Sequence, residues 1–281
     1  MPDYPVLAHP VAWDPAHTWR LLQAASTDVT TRADPRVDRA FWERIAPRYH
    51  QECLAARVPE IVERVLRWIA PQDTVLEVGA GTGGFTLPIA RRAALVSALD
   101  YAPAMLRVLA ENTRRAGLGN VCLIEGDLEV APLERHDVVL AANALYRVAD
   151  ARATLERLLA AARKRLLVVW SVGRAQRWER AARDLVAPGR YRAGPDYIHL
   201  LDVLYDLGAD AEVELVATSF SREYADEEEA VAALVSWPEP TAEERERCRA
   251  LLPRLLERLP GGGYRAEVRD RIALLRCEVG R

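Results

Sequence analysis

Long apolar runs are missing from this 281-residue chain, and with them any segment of membrane-spanning length. Cysteine is scarce. Cys53, Cys122, Cys248 and Cys277 stand far apart with no C-x-x-C pair, which argues against a zinc site or a disulfide framework, and no metal is expected. Cys122 and Cys277 lie in strand-like apolar runs and read as small core residues. Charge of either sign is not in excess: a formal net charge of −3 and a pI near 6 argue against a non-specific nucleic-acid binder. Arginine dominates the basic residues and recurs at helical spacing among Ala and Leu, the pattern of solvated helix faces. The start of the chain offers prolines and acids where a secretory signal needs a basic end and an apolar stretch, so a cytoplasmic location is expected. Internal repeats and low-complexity tracts are absent too.

Half of the residues are hydrophobic, enough for the core of one elaborated α/β domain. The stretch that organises the chain is Thr74-Val75-Leu76-Glu77-Val78-Gly79-Ala80-Gly81-Thr82-Gly83-Gly84-Phe85. A β-branched run ends in a glycine turn that enters an apolar-periodic segment, Phe85 to Arg92. Strand, glycine turn and helix let backbone pass close to a ligand at a helix N-terminus. The glycines satisfy both G-x-G-x-G and the dinucleotide pattern G-x-G-x-x-G. Two acids narrow the choice. Glu77 occupies a strand position that would ordinarily be apolar, at the carboxyl end where open α/β sheets hold ligands, and suits a cationic or amine-bearing one. Asp100 closes the next apolar run, Ala94 to Leu99, at the distance where an acid meets a ribose diol. NAD and S-adenosylmethionine share that ribose, but only the second has an amino-acid tail whose ammonium an upstream acid would help hold.

Along the chain, residues 1 to about 35 read as irregular, broken by Pro2, Pro5, Pro10, Pro15 and Pro35 yet carrying Trp13, Trp19, His9 and His17. Residues 1–50 are taken as an N-terminal arm and lid, and 51–281 as the main domain with a helical insertion at about 226–260. Helices are expected at Val37–Tyr49, Pro59–Trp68, Pro103–Ala116 (with Gly117 as its stop), Arg152–Arg163, Arg174–Val186 and Tyr197–Leu207. Strands are expected at Val121–Glu125, Asp137–Ala141 and Leu166–Trp170, besides the two above. Glu212–Tyr224 and Glu267–Val279 also have strand character. Asp226 with Glu229, and Thr241 with Glu244, have capping-box spacing and open two helices, the second kinked at Pro253.

At its glycine turn and two acids the chain resembles the class I S-adenosylmethionine-dependent methyltransferases, whose first motif is E/D-x-G-x-G-x-G. Phe41 to Tyr49 is similar to the W-x-x-x-A-x-x-Y segment of small-molecule members, whose tyrosine reaches the cofactor. The resemblance implies a Rossmann-like, seven-stranded, mostly parallel sheet with helices on both faces and an antiparallel C-terminal strand pair. It implies S-adenosylmethionine as cofactor and S-adenosylhomocysteine as product. Residue by residue, Gly79, Ala80 and Gly81 would pass under the amino-acid tail, with Glu77 supporting that end and Tyr49 nearby. Asp100 would take the ribose hydroxyls, Tyr101 and Met105 would flank the adenine, and Asp127 would accept from its amino group beside Leu128. Asn143 would stand where the methyl group faces its acceptor.

The chain departs from the family at Ala102, where serine is common, and at Asn143-Ala144-Leu145-Tyr146, where amide methylases carry N-P-P-Y. A small-molecule acceptor is therefore expected, with no nucleic acid or membrane partner, in a chain that could pair as a homodimer. Where the acceptor requires a base, the candidates are His50, Tyr146, His199 and Tyr197. A protein or RNA methyltransferase, a cofactor-binding regulatory subunit, and a nicotinamide-dependent oxidoreductase remain the alternatives.

Overall fold

Short aliphatic runs, each closed by a turn, form five parallel strands: β1 (Thr74–Val78), β2 (Leu95–Asp100), β3 (Val121–Glu125), β4 (His136–Ala142) and β5 (Ala162–Val172). They belong to a computed structural model that describes residues 14–27, 35–172, 183–190, 192–235 and 240–280. Three further strands, β6 (Ala211–Tyr224), β7 (Glu257–Arg258) and β8 (Tyr264–Glu278), complete a sheet of order β3-β2-β1-β4-β5-β8-β6. β8 runs antiparallel to both β5 and β6, and the two-residue β7 pairs with β8 alone. The expected seven strands are therefore present with one short addition.

Apart from Glu77 near the end of β1 and His136–Asp137 at the start of β4, these two strands are apolar on both faces because helices cover both. One side carries Leu76, Val139, Val168 and Trp170 against α7 (Ala151–Ala161) and α8 (Tyr197–Asp206). The other carries Val75, Val138, Leu140 and Val169 against α4 (Pro59–Leu66) and α5 (Thr86–Ala90). From β1 the chain winds outward to β2 and β3, then returns to the opposite side for β4. The ends of β1 and β4 thus form the switch point at which such sheets open a ligand crevice.

The N-terminal region corrects the irregular reading. α1 (Pro15–Ala25) is a helix whose Asp14 cap accepts from His17 N at 2.9 Å. Pro15 sits in its first turn, where a missing N–H costs nothing, so this proline starts a helix instead of breaking one. Trp19 is buried against Trp170, ring centroids 6.1 Å apart, and its indole N–H donates to Val148 O at 2.8 Å. α2 runs Pro35–Glu52, longer than expected at both ends and through Pro47, and the single turn α3 (Leu54–Arg57) follows. His9, Trp13 and most of the expected helix 174–186 lie outside the described residues.

β5 starts four residues before the expected Leu166, because its polar beginning is satisfied from elsewhere. Lys164 pairs with Asp73 at 2.6 Å and Asp137 at 3.2 Å, and Arg165 with Glu278 at 3.5 Å. Both expected capped helices form: α9 (Glu227–Leu234) behind Asp226, and α10 (Ala242–Leu255) behind a full Thr241–Glu244 capping box. α10 continues through Pro253 to end two residues later. Val172, the last residue of β5, lies opposite Arg271, which in turn lies opposite Ala217. Thr218–Tyr224 therefore projects past the end of β5 on the crevice side. There α9, α10, Tyr224, Tyr264 and Val268 enclose a small core of their own.

Candidate functional site

The glycine turn is pinned to the neighbouring strand by its own backbone: Gly79 N and Ala80 N both donate to Leu99 O, at 2.8 and 3.0 Å. Gly79 has φ +70, and a Cβ there would stand 2.5 Å from Ala144 Cβ. Only a residue without a side chain lets the β1 and β4 ends approach this closely. Gly81, at φ +55, lies under the Tyr49 ring, which a Cβ would meet at 3.5 Å.

Asp100, at the end of β2, accepts from Gly81 N at 2.8 Å and from Ala102 N at 2.9 Å, one per carboxylate oxygen. These bonds fix its plane while each oxygen keeps a second lone pair. Burial holds its pKa above the ordinary value against those two donors, with Asp38 adding to the rise. Glu77 is more extreme. It is 2% exposed, accepts from the Thr86 hydroxyl at 2.6 Å, and burial raises its pKa to about 8. A buried acid with one hydroxyl partner and capacity for more bonds is a fitting counter-charge for an ammonium, and Asp100 has the capacity a diol requires. The chain's residues therefore fit the cofactor that the motif implies.

The other expected residues are placed unevenly. Tyr49 lies at the glycine turn, edge-on to Trp42 with centroids 5.5 Å apart, and burial pushes its phenol further up. Tyr101 is half-buried beside the site, 3.5 Å from an Arg147 nitrogen. Met105 is 2% exposed and packs with Ala46, Ala102 and Ala104, so it braces the crevice wall from behind. Asp127 is exposed after β3 and accepts from Glu129 N at 2.9 Å, with Leu128 half-buried next to it.

Asn143 is the one non-glycine among the described residues with a left-handed backbone, φ +49. Its amide nitrogen donates to Ser171 Oγ at 3.0 Å and its oxygen accepts from Ser171 N at 2.9 Å. That side chain thus ties the end of β4 to the end of β5. Tyr146 follows on the 3-10 turn Leu145–Arg147, its carbonyl held by Gln23 of α1 at 2.8 Å.

The candidate bases do not converge. His50 Nδ1 lies 3.3 Å from Thr82 Oγ1 in the glycine turn. His199 sits in the first turn of α8 and accepts from Asp196 N at 3.0 Å through Nδ1, which leaves only Nε2 for other work. Tyr197 opens the same helix and packs on the core. A cavity of about 460 Å³ lies between α2 and α6 (Pro103–Arg115), lined by Glu43, His50, Arg107 and Asn112. None of its lining residues lies at a strand end, and His50 links it to the glycine turn through Thr82.

Three residues that the motif reading passed over complete the site. Thr86 holds Glu77, and its signal was a hydroxyl in the first turn after the glycines. Asp38, fully buried on α2, pairs with Arg147 of the 3-10 turn and accepts from Trp42 Nε1 at 3.1 Å. Nothing local in the sequence announces that pair.

Residues 75–166 match the family model of a methyltransferase domain, the span that holds β1 to β4, the glycine turn and both acids. The chain thus carries a methyltransferase domain over that span. Among curated proteins, it is 43% identical over 70 residues to the 23S rRNA (uracil(1939)-C(5))-methyltransferase RlmD of Chromohalobacter salexigens, covering 24% of this chain and 15% of that protein. It is 31% identical over 153 residues to an uncharacterized protein of Haemophilus influenzae, covering 53% of this chain and 56% of the other. The chain thus spans less than two thirds of the length of either relative. Among solved methyltransferase structures, magnesium protoporphyrin IX methyltransferase of Synechocystis PCC 6803, with bound S-adenosylhomocysteine, shares the fold. The TM-score is 0.51 at 16% identity, over 79% of this chain and 83% of that one.

Proposed function

We propose that this methyltransferase acts on a small organic acceptor enclosed beside the β4 and β5 ends. The observation that carries the reading is the state of the arginine at that end. Arg147 is turned onto buried Asp38 and Tyr101, across the crevice, instead of facing outward as a phosphate contact would. Arginines elsewhere are likewise engaged with acids, among them exposed Arg107 with Glu43, exposed Arg190 with Glu244, and half-buried Arg249 with Glu228. No helix among the described residues is long and apolar enough to cross a membrane.

When bound, the cofactor supplies an electrophilic methyl group on a sulfonium for in-line displacement. The chain's own part is to hold and align. Gly79 to Gly81 give close backbone approach for the amino-acid tail, Glu77 lies where its ammonium is expected, and Asp100 has lone pairs for the ribose diol. Tyr49, whose proton is held tightly by burial, serves as a hydrogen-bond donor and not as a base. Asn143 and Ser171 fix the floor on the acceptor side. Such positioning supplies much of the acceleration in a reaction of this type. If the acceptor must lose a proton, Tyr146 is the candidate nearest Asn143 in the chain, with His50 across the glycine turn.

A second reading, methyl transfer to an RNA base, is favoured by the local identity to RlmD. The cysteines speak against a thiolate-assisted version. Cys53, Cys248 and Cys277 are buried, and desolvation raises all three thiols, Cys248 to about 11 and Cys277 to about 12. Cys122 lies on β3 at the sheet edge, away from the β4 end.

The test is transfer from methyl-tritiated cofactor into two fractions of one cell extract, small molecules and total RNA. Label in the small-molecule fraction supports the proposal. Label confined to RNA overturns it.

A further inference from the structure

We propose that the Asp38–Arg147 pair is a clasp that shuts α2 over the cofactor crevice, so that cofactor enters and leaves only when the pair opens. The inference rests on the cofactor reading above but concerns residues that no motif assigns. The inward stripe of α2 is Asp38, Trp42, Ala46 and Tyr49, spaced at three and four residues. Each member has a counterpart on a crevice wall. Tyr49 covers Gly81. Ala46 packs on Ala102, Ala104 and Met105, and Trp42 joins that cluster while its indole nitrogen donates to Asp38. Asp38 reaches across to Arg147.

The two ends of this contact belong to opposite walls. Tyr49 and the Ala46 cluster hold α2 to the β1 and β2 side. Arg147 belongs to the turn after β4, and its guanidinium also comes within 3.5 Å of the Tyr101 hydroxyl, at the β2 end. Asp38 is near enough to Asp100 to raise its pKa. The clasp therefore lies over the place where Asp100 would receive the ribose.

The packing that backs it is only partly sealed from water, with Trp42, Ile45, Tyr49, Tyr101 and Val108 half-buried around its centre. Its fully buried members are three alanines and one methionine, small side chains beside the leucines that seat α7 and α8. Asp38 is fully buried while the Arg147 side chain is 25% exposed. A buried carboxylate that loses a paired cation is disfavoured, so removing the charge of Arg147 weakens the closed state. Opening lets water reach both groups together, which makes the pair separable in a way that a packed apolar contact is not.

The test is stopped-flow displacement of S-adenosylhomocysteine from the full chain, with amide exchange of residues 38–51 measured in parallel. Arg147→Met keeps the stem and removes the charge, and Asp38→Asn keeps the acceptor for Trp42. Each single variant should release the ligand about tenfold faster or more. Each should also lose exchange protection in α2 while that of β1 and β4 is kept. The exchanged pair, Asp38→Arg with Arg147→Asp, should recover a good part of both, since a double-mutant cycle isolates the coupling.

Unchanged release rates in both singles would overturn the clasp, as would effects that simply add in the exchanged pair. Should the wild type fail to bind S-adenosylhomocysteine, the cofactor reading falls instead. The exchange protection of α2 would still decide the clasp.

Discussion

Replacing Glu77 by glutamine should make the ligand-free protein less sensitive to alkali, and the size follows from burial. The carboxyl is 2% exposed, and its pKa rises from 4.5 to about 8, chiefly by desolvation, with Asp100 adding and the Thr86 hydroxyl opposing. Between those values the folded state holds a proton that the unfolded chain has lost. Stability contributed by this group is therefore complete below about pH 4.5 and declines as pH rises toward 8, at roughly 1.4 kcal/mol per pH unit. From pH 5.5 to 8 the loss amounts to about 3 kcal/mol.

Glutamine mimics the protonated acid in shape and can still accept from Thr86. Urea unfolding should then put Glu77→Gln ahead of wild type by only about 1–2 kcal/mol at pH 5.5. By pH 8.5 that lead should have widened by about 3 kcal/mol. Asp100, also raised, titrates in both proteins and drops out of the difference. Saturating S-adenosylhomocysteine should reverse the order at pH 8.5, because the ligand's ammonium replaces the proton only in the wild type. Parallel pH profiles would refute the reasoning, and would mean that Glu77 is ionised at neutral pH without a ligand.

Asp100→Ala removes an acceptor pre-oriented by two N–H groups, and calorimetry should show S-adenosylhomocysteine affinity falling about tenfold or more, with no gain in NAD binding. Gly79→Ala meets Ala144 at 2.5 Å in a left-handed backbone, so denaturant unfolding should show a loss of about 1–3 kcal/mol together with weakened cofactor binding. Trp19→Ala empties a buried site and leaves Val148 O with one donor fewer, and should cost about 3–5 kcal/mol by the same assay. In filter binding at physiological salt, RNA affinity should be weak, and a submicromolar, steeply salt-dependent value would contradict the small-acceptor proposal.

The parallel sheet was legible because buried strands write themselves as short aliphatic runs, and the turns between them as glycine or asparagine. What stayed hidden depended on partners far off in the chain. The first residues of β5 read as a helix end until Asp73 and Asp137 receive Lys164. α1 read as broken because a proline's meaning depends on whether Asp14 caps the turn it opens. The site divides the same way. Gly79, Glu77 and Asp100 act through backbone shape and position on a strand, which sequence records directly. Met105 and Asn143 were found by motif, but what they touch is set by packing, so one turned out a brace and the other a tie.

The charges of the crevice also bear on which cofactor it takes. Glu77, Asp100 and Asp38 are all buried near one another, and three carboxylates cannot stay ionised in such a place without compensation. The ligand-free protein compensates each differently: Glu77 with a proton, Asp100 with two backbone donors, and Asp38 with Arg147 and an indole N–H. A dinucleotide would bring a doubly negative pyrophosphate to this turn, and the acids would repel it. A sulfonium with an ammonium tail brings positive charge to the same place and can take over from the proton on Glu77. The glycine pattern alone serves both ligands, and the electrostatics of the buried acids select S-adenosylmethionine over NAD.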